Sequence, residues 1–410
     1  MSGDARRLSE PFDFRFPAAD LDQWKAFPAA QQPDWGDGWL VDKVRADLAG
    51  MPGLVRWSEV DALRDALADV SAGRAQVIQA GDCAEDPDEC VPEVLGRKVG
   101  LLDALAGVMR VGSGKPVVQV GRIAGQFAKP RSQALERHGD VDLPVYRGPM
   151  VNSPEPVLSR RRADPLRMLV CYRAAGVAMD YLRRGPGTAP ARPPVWASHE
   201  ALVLDYEVPL LRHDGTGRLM LASTHWPWIG ERTRDPDGAH VNLLAAVRNP
   251  VACKVGPLVT RSDLLALCER LDPDREPGRL ALIARFGATS VADRLPAMVS
   301  AVRAAGHPVI WLCDPMHGNT VRAPNGRKTR LLDVLRREVR EFRGAVLAGG
   351  GVPGGLHLET TPADVDECVT DESEVDRVGE RLYTTLCDPR LNPEQAVAVA
   401  SVWDRPPPVD

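Results

Sequence analysis

Four residues that lie far apart in this 410-residue chain have side chains able to bind a divalent metal ion. They are Cys83, His317, Glu359 and Asp388. A thiolate, an imidazole and two carboxylates make up the mixed sulfur, nitrogen and oxygen set that suits a borderline transition metal. Only a fold that brings distant segments together would gather these side chains, so the set predicts a site built from several separate elements.

Each candidate ligand also has a structural interpretation that the residues alone leave open. A lone cysteine such as Cys83 is most often a small core residue. His317 lies three residues after Asp314, and the two side chains could form a structural hydrogen bond. Glu359 could be an ordinary carboxylate at the end of a strand. The residue types therefore make a metal site one of two interpretations.

A second set of reactive side chains is basic, and its members follow or end short apolar segments. The set consists of Arg122, Lys129, Arg131, Arg232, Lys254 and Arg285. A guanidinium group binds phosphate or carboxylate through two parallel hydrogen bonds, and an ammonium group adds a point charge. Taken singly, each arginine could be a solvated surface group. Taken together, these residues predict an enzyme that acts on one or two phosphorylated or carboxylated substrates.

The elements that would position these residues are short apolar segments that alternate with helical ones from about residue 75. We predict strands at residues 76–79, 116–120, 219–222, 251–254, 280–284, 308–312, 355–358 and 382–385. This alternation is typical of βα units with a parallel sheet. Eight units predict an α/β protein with a (β/α)8 TIM barrel, whose active site lies at the carboxyl ends of the strands. A doubly wound sheet is the alternative, although no G-x-G-x-x-G turn follows the first strand.

Two regions are predicted along the chain. Residues 1–70 are rich in proline, tryptophan and aspartate before they become helical, which predicts an N-terminal extension packed on the barrel. Residues 71–410 are expected to form the catalytic barrel itself.

The composition excludes several classes of protein. A hydrophobic content of 44% is enough for a sizeable core. The net charge of −5 argues against nucleic acid as a partner, because phosphate backbones require a basic surface. No apolar segment approaches the length of a membrane span, and the N-terminus lacks the apolar stretch of a signal peptide. We therefore expect a cytoplasmic protein with no membrane partner, whose eight scattered cysteines are mostly thiols.

A series of short motifs occurs in order between Gln79 and Gln395. The motifs are QAGDCAE, GRIAGQFAKPRS, YRGPMVN, SHEALVLDYE, WIGERTR, DGAH, CKVGP, ARFG, CDPMHGNT, GGLHLE and CDPRLNPEQ. The series resembles that of the class II (plant-type) 3-deoxy-D-arabino-heptulosonate 7-phosphate (DAHP) synthases. The resemblance implies a (β/α)8 barrel transferase that condenses phosphoenolpyruvate with D-erythrose 4-phosphate and water, giving DAHP and phosphate. This reaction is the first step of the shikimate pathway to aromatic amino acids and chorismate.

The resemblance also implies a role for individual residues. The metal ligands of the family, which usually hold Mn²⁺ or Co²⁺, correspond to Cys83, His317, Glu359 and Asp388. The phosphoenolpyruvate pocket corresponds to Arg122, Glu231, Arg232, Lys254 and Arg285. The site for the sugar phosphate corresponds to Lys129, Arg131 and Ser132. The residues expected to take part directly in catalysis are Lys254, Glu231 and His317.

In the reaction that the resemblance implies, C3 of phosphoenolpyruvate attacks the aldehyde of erythrose 4-phosphate, which the metal polarises as a Lewis acid. Water then adds at C2, and phosphate leaves. Glu231 is expected to order the attacking water. His317 or a water on the metal is expected to protonate the new alkoxide.

Two departures from the family pattern bear on the acceptor and on regulation. Where the family usually has YRGD, this chain has Pro149 in the fourth position, which makes an amino or imino sugar phosphate an alternative acceptor. The helical insertion that regulated members have before SHEALVLDYE is replaced by a short segment rich in proline and glycine, residues 185–194. We therefore expect no feedback inhibition by aromatic amino acids, as in synthases of secondary-metabolite (phenazine-type) pathways. A homodimer is expected, and a non-catalytic barrel is a second alternative.

Overall fold

Eight parallel strands close into a barrel in this protein, whose structure is a computed structural model that describes Trp24, residues 26–184 and residues 194–404. Around the barrel the strands follow one another in chain order: β1 Gln76–Gly81, β2 Val117–Arg122, β3 Val195–Glu200, β4 Trp226–Ile229, β5 Val251–Val255, β6 Leu280–Ala284, β7 Ile310–Cys313 and β8 Pro353–Glu359. β8 pairs with β1 and closes the ring. The predicted (β/α)8 TIM barrel is thus confirmed.

Helices precede and surround the barrel. They are α1 Gly38–Ala49, α2 Trp57–Ser71, α3 Pro92–Ser113, α4 Leu158–Arg161, α5 Leu166–Arg184, α6 Leu204–Glu207, α7 Ala239–Ala246, α8 Arg261–Leu271, α9 Val291–Ala304, α10 Leu332–Ala348 and α11 Pro393–Ala400. Three antiparallel hairpins lie outside the barrel: Leu135–His138 with Val141–Pro144, Leu211–His213 with Leu219–Leu221, and Thr320–Arg322 with Lys328–Arg330. No helix in the described part of the chain is long and apolar enough to cross a membrane.

Two of the eight strand predictions are wrong, and two barrel strands were missed. Residues 219–222 were predicted as the third strand, but Leu219–Leu221 pairs with Leu211–His213 in a hairpin outside the barrel. Residues 382–385 form an irregular segment. The true third and fourth strands, β3 and β4, have the sequences VWASHE and WPWI. They contain few β-branched residues, so their intrinsic strand propensity is low. Pairing with a neighbouring strand on each side holds them in the barrel.

The amino-terminal half of the barrel interior is apolar and is closed by α2. One buried cluster unites Val77, Val120, Trp196, Trp226, Ala252, Ala281 and Ile310 of the strands with Leu63, Leu67 and Val70 of α2. Gly278, just before β6, has a φ of +80° and lies so close to α2 that a Cβ atom there would come within 2.4 Å of the Arg64 carbonyl oxygen. The helix therefore seals this end.

The carboxyl-terminal half of the interior is polar. Its buried side chains include Gln79, Arg122, Ser198, Lys254 and His357. Burying such groups is unfavourable unless they are hydrogen-bonded or paired, and each of these five side chains has such a partner inside the barrel.

Candidate active site

Three of the four predicted metal ligands meet at the carboxyl ends of the first and last strands. The ligand atoms of Cys83, Glu359 and Asp388 all lie within 4.8 Å of one another. Cys83 follows β1, Glu359 ends β8, and Asp388 belongs to the loop after β8. Cys83 and Glu359 are buried. The group therefore joins two strands that neighbour each other in the closed barrel.

The fourth predicted ligand, His317, lies beside this group and not within it. Its Nε2 atom is 3.2 Å from Glu359 Oε1, and its Nδ1 atom is 2.8 Å from Asp314 Oδ2. Since a carboxylate only accepts hydrogen bonds, Asp314 favours a proton on Nδ1, and Nε2, which faces Glu359, is the nitrogen that would bind a metal. The hydrogen bond between His317 and Asp314 and a role as ligand are therefore compatible.

A lysine ammonium group takes the central position among the three clustered donors. Lys129 Nζ contacts Cys83 Sγ, and it lies 2.7 Å from Asp388 Oδ2 and 3.3 Å from Glu359 Oε1. Burial alone would raise the pKa of Glu359, but His317, Lys129 and an arginine hold that pKa well below its usual range. The two carboxylates thus form a concentrated anionic site that suits a cation, beside the Cys83 thiol, whose pKa burial raises well above its usual value.

Eleven of the twelve predicted site residues line one cavity of about 550 Å³ at the carboxyl ends of the strands. They are Arg122, Lys129, Arg131, Ser132, Glu231, Arg232, Lys254, Arg285, His317, Glu359 and Asp388. The twelfth, Cys83, is buried next to Lys129. Residues separated by more than 250 positions are therefore gathered in the place that the barrel fold predicts.

Arg122 ends β2 and is almost fully buried. Its guanidinium group donates to the Asp82 carbonyl oxygen at 2.9 Å, to His357 Nε2 at 2.8 Å, to the Cys83 carbonyl oxygen at 3.3 Å and to Glu359 Oε1 at 3.2 Å. These contacts fix the orientation of the group on the wall of the cavity.

Lys254 is in β5, and its ammonium group lies 2.9 Å from Asp314 Oδ2. Burial lowers the pKa of Lys254, against the opposing effect of Asp314, and Arg122 lowers it further. Burial would raise the pKa of Asp314, but His317 and Lys254 hold it well below its usual range. Asp314 therefore stays ionised and connects a cavity lysine with His317.

Two further basic residues of the cavity come from loops after barrel strands. Arg285, after β6, donates to the His317 carbonyl oxygen at 2.7 Å and lies 4.0 Å from Glu231. Arg232, after β4, donates to Ser132 Oγ at 2.6 Å. This contact joins the two residue sets expected to bind phosphoenolpyruvate and the sugar phosphate, so both substrates would share one cavity.

Glu338 of α10 connects two of these loops from behind. Its carboxylate accepts from the Gly287 N–H at 2.8 Å and from the Asn319 side-chain amide. Burial raises the pKa of Glu338 to about 8. The helix thereby ties the loop after β6, which bears Arg285, to the loop after β7, which bears His317.

Several cavity residues escaped the sequence analysis. Arg330 is fully buried and donates to Glu359 Oε2 at 2.9 Å, and Lys328 Nζ lies 2.7 Å from Asp388 Oδ1. Both belong to the hairpin before α10, where basic residues are ordinarily solvated, so the sequence offered no signal of burial. Glu200 ends β3, and its Oε1 atom is buried without a hydrogen-bond partner in the described part of the chain. Its position within SHEALVLDYE was the only available signal.

The two departures from the family pattern have different outcomes. Pro149 lines a neighbouring cavity of about 720 Å³ together with Tyr146 and Cys387, and it does not line the cavity that contains the predicted site. The segment that replaces the helical insertion, residues 185–194, lies outside the described residues except for its last position.

Comparison with known proteins gives consistent names. Residues 19–192 and 187–403 match the model of the Class-II DAHP synthetase family. A Pseudomonas fluorescens protein called "Probable phospho-2-dehydro-3-deoxyheptonate aldolase" is 55% identical over 383 residues, which cover 93% of this chain and 96% of that protein. Proteins called phospho-2-dehydro-3-deoxyheptonate aldolase from Streptomyces coelicolor and Mycolicibacterium smegmatis are 40% and 39% identical. These alignments cover 92% and 93% of this chain, and 95% and 93% of those proteins.

One solved structure extends the comparison to the fold. The phospho-2-dehydro-3-deoxyheptonate aldolase of Francisella tularensis SCHU S4 superposes with a TM-score of 0.52, over 89% of this chain and 97% of that chain. At 13% identity, the likeness concerns the fold alone.

Proposed function

This chain belongs to the Class-II DAHP synthetase family and is a 3-deoxy-7-phosphoheptulonate synthase, and we propose that the 550 Å³ cavity is where it condenses phosphoenolpyruvate with erythrose 4-phosphate. The observation that carries the proposal is the meeting of three clustered metal-binding side chains and six basic side chains in and beside one cavity. A metal-assisted condensation of two anionic substrates requires both features together.

Cys83, Glu359 and Asp388, with His317 beside them, would hold the divalent metal. We propose Mn²⁺ or Co²⁺, because the thiolate and imidazole favour a borderline transition metal over Mg²⁺ or Ca²⁺. When bound, the metal would polarise the aldehyde of erythrose 4-phosphate as a Lewis acid. The residues described next account for the rest of the reaction.

Arg122, Lys254 and Arg285 would bind the carboxylate and phosphate of phosphoenolpyruvate, with Arg232 at the boundary with the second substrate. Arg122 and Lys254 are buried on the cavity wall and held by neighbouring groups, so little reorganisation is needed when substrate enters. Fixing both ends of phosphoenolpyruvate would turn its C3 atom toward the aldehyde, which is catalysis by positioning.

Lys129, Arg131 and Ser132 would bind the phosphate of the sugar. Glu231 lies 3.1 Å from Arg234 and 4.0 Å from Arg285, on the phosphoenolpyruvate side of the cavity. It would orient the water that adds at C2 and accept its proton as phosphate leaves. His317 would take part through its Nε2 atom, which faces the proposed metal site, while Asp314 holds its Nδ1 proton.

Erythrose 4-phosphate is the proposed acceptor in preference to an amino or imino analogue. The reason to consider the analogue was Pro149, which faces the neighbouring cavity. The test is a product assay with phosphoenolpyruvate and each acceptor in turn. We expect stoichiometric release of phosphate and formation of DAHP with erythrose 4-phosphate, and a higher kcat/KM for the amino analogue would reverse the assignment.

We also propose that aromatic amino acids do not inhibit this enzyme. The alignment with the Mycolicibacterium relative spans 437 positions, more than the 410 residues of this chain, so that relative contains segments that this chain lacks. This agrees with the proposed absence of the regulatory helical insertion from this chain. Phe, Tyr and Trp, singly and together at saturation, should leave steady-state turnover unchanged. Loss of more than half of the activity would contradict the proposal.

Two properties of the whole protein complete the proposal. We propose a cytoplasmic location, and we propose a homodimer. Sedimentation velocity across a range of protein concentrations tests the second, and a monomer at every concentration would refute it.

A further inference from the structure

A chain of buried hydrogen bonds crosses the polar half of the barrel and ends at Arg122. Arg122 Nη1 lies 2.8 Å from His357 Nε2, and His357 Nδ1 lies 2.7 Å from Gln79 Oε1. Gln79 Nε2 donates to Ser198 Oγ at 3.0 Å, and Ser198 Oγ donates to the Gly121 carbonyl oxygen at 3.0 Å. This buried polar chain joins strands β1, β2, β3 and β8.

The direction of every hydrogen bond in the buried polar chain follows from its far end. The hydroxyl proton of Ser198 is used on a carbonyl, so Ser198 accepts from the amide of Gln79. The oxygen of that amide then faces His357 Nδ1 and can only accept, so Nδ1 is protonated. His357 Nε2 is consequently unprotonated and accepts from Arg122, a guanidinium that can only donate.

We propose that His357 and Gln79 are positioning residues for phosphoenolpyruvate: they set the guanidinium plane of Arg122 without touching the substrate. His357 and Gln79 are fully buried, and neither is among the described residues that line the cavity. Of the five N–H bonds of Arg122, four have partners in the described structure, which leaves one for a ligand. A rotation of the guanidinium would misdirect that one donor.

Trp228 limits the same rotation from the side. Its ring lies 5.3 Å from the Arg122 guanidinium carbon, and the His357 ring meets it edge-on with centroids 5.3 Å apart and an interplanar angle of 89°. Trp228 is nearly fully buried. His357 holds the nitrogen that bears the remaining N–H, Trp228 lies beside the guanidinium plane, and the other two nitrogens are held by Asp82, Cys83 and Glu359.

This inference deepens the proposed function and rests on the assignment of Arg122 to phosphoenolpyruvate. It predicts different results for two substitutions at one position. His357→Asn keeps a donor near Gln79 but loses the acceptor for Arg122, whereas the longer His357→Gln can present an oxygen close to the former Nε2 atom. His357→Asn should raise KM for phosphoenolpyruvate about tenfold or more, as expected for losing a hydrogen bond to a charged group.

The accompanying readouts distinguish positioning from general damage. His357→Gln should recover most of the lost affinity, and KM for erythrose 4-phosphate should stay within about twofold of wild type in both variants. Gln79→Leu should raise KM for phosphoenolpyruvate although it does not contact Arg122, and its effect should not add to that of His357→Asn, because both break one chain. A lower kcat with unchanged KM values would indicate a structural role and overturn the inference.

Two further variants serve as controls. His225→Asn removes another buried histidine that packs edge-on against a tryptophan, at the opposite end of the barrel, and should leave KM for phosphoenolpyruvate unchanged. Arg122→Ala separates the positioning role of His357 from the assignment of Arg122 to phosphoenolpyruvate. If Arg122→Ala weakens phosphoenolpyruvate binding and His357→Asn does not, the positioning role is wrong and the site assignment stands; if Arg122→Ala also has no effect, the site assignment itself fails.

The state of the His357 ring can be observed without an activity measurement. In protein with ¹⁵N-labelled histidine, the signals lost in His357→Gln identify the ring nitrogens of His357. We expect an unprotonated Nε2 and a protonated Nδ1. A protonated Nε2 would be incompatible with acceptance from Arg122 and would overturn the inference.

Discussion

Two histidine–tryptophan pairs occur at opposite ends of the same barrel with nearly the same geometry. His225 meets Trp196 with ring centroids 5.2 Å apart and an interplanar angle of 79°, at the amino-terminal end. His357 meets Trp228 at 5.3 Å and 89°, at the carboxyl-terminal end. All four residues are buried, so residue type, packing and burial do not distinguish the pairs.

The partners of the two histidines distinguish them. His225 accepts from a backbone N–H of β3 and lies 3.4 Å from Glu59 of α2, so it fastens the helix that seals the barrel. His357 accepts from Arg122 on the wall of the candidate active site. The comparison teaches that the same side-chain arrangement serves stability at one end of a barrel and chemistry at the other, as the fold in general separates them.

The largest effect should come from removing the metal, and the loss should be confined to the carboxyl-terminal end of the barrel. Exhaustive chelation should abolish turnover, and added Mn²⁺ or Co²⁺ should restore it, since the aldehyde would lose its Lewis acid. Steady-state assays before and after chelation measure this. Full turnover in the chelated enzyme, or in Cys83→Ala, would show that the cluster of donors does not support the reaction.

The next largest effect is predicted for Lys254→Ala. Loss of a buried cation facing an anionic substrate should remove about 2–4 kcal/mol of transition-state stabilisation, or roughly 30- to 900-fold in kcat/KM for phosphoenolpyruvate. The melting temperature should change little by comparison, because Asp314 retains His317 as a partner. An unchanged kcat/KM would mean that Lys254 does not face the substrate.

The opposite result, a loss of stability without a loss of substrate binding, is predicted for Leu67→Ala in α2, at the sealed end. Leu67 is fully buried against the strands, so the cavity left behind should cost about 2–5 kcal/mol of unfolding free energy. Chemical denaturation measures the loss, and KM for both substrates should be unchanged in the folded enzyme. A large change in KM without a loss of stability would contradict the division between the two ends.

A further effect concerns pH and has opposite signs at the two ends. The pKa of Glu338, behind the active-site loops, is raised from 4.5 to about 8, so the folded state binds more protons than the unfolded state between these values. The stability that this residue contributes is therefore lost as pH rises from about 4.5 to 8. The unfolding free energy of Glu338→Gln should rise relative to that of wild type across that range. Urea denaturation at several pH values measures the difference, and parallel curves would refute it.

Glu59, at the sealed end, is the control for this experiment. Burial would raise its pKa, but hydrogen bonds from His225 and Arg183 lower it below the ordinary value of 4.5. Its contribution should therefore be present above pH 4.5 and lost as pH falls, so that Glu59→Gln approaches wild type only in acid.

The fold was predictable because of its repetition, although two of the eight strands were not. Six of the eight predicted strands are barrel strands, and the two errors were offset by two omissions. In β3 and β4 the interior positions carry Ser198, Glu200 and tryptophan instead of the β-branched residues that signal a strand. Their conformation depends on pairing with distant segments, which local sequence does not reveal.

The candidate site was predictable where reactive residues stand in specific motifs. Eleven of twelve predicted residues line the cavity, since most of their motifs follow or end a strand. Asp388 is an exception, because the segment before it was predicted as a strand but is irregular. The supporting residues were not predictable. Arg330 and His357 could be recognised only from their burial and partners, because an arginine in a sequence says nothing about whether its charge is solvated or paired with a carboxylate.

Lys129 has a consequence for how the enzyme acquires its metal. Its ammonium group lies among the three clustered donors, so the folded chain already contains a counter-ion for the carboxylates. In a zinc finger the polypeptide stays unfolded until the ion arrives, because so small a chain has no sufficient core of its own and the free energy of metal binding drives its folding. We therefore expect the metal-free barrel to fold, because Lys129 offsets the charge of the carboxylates, so that the supply of the ion would control activity separately from folding.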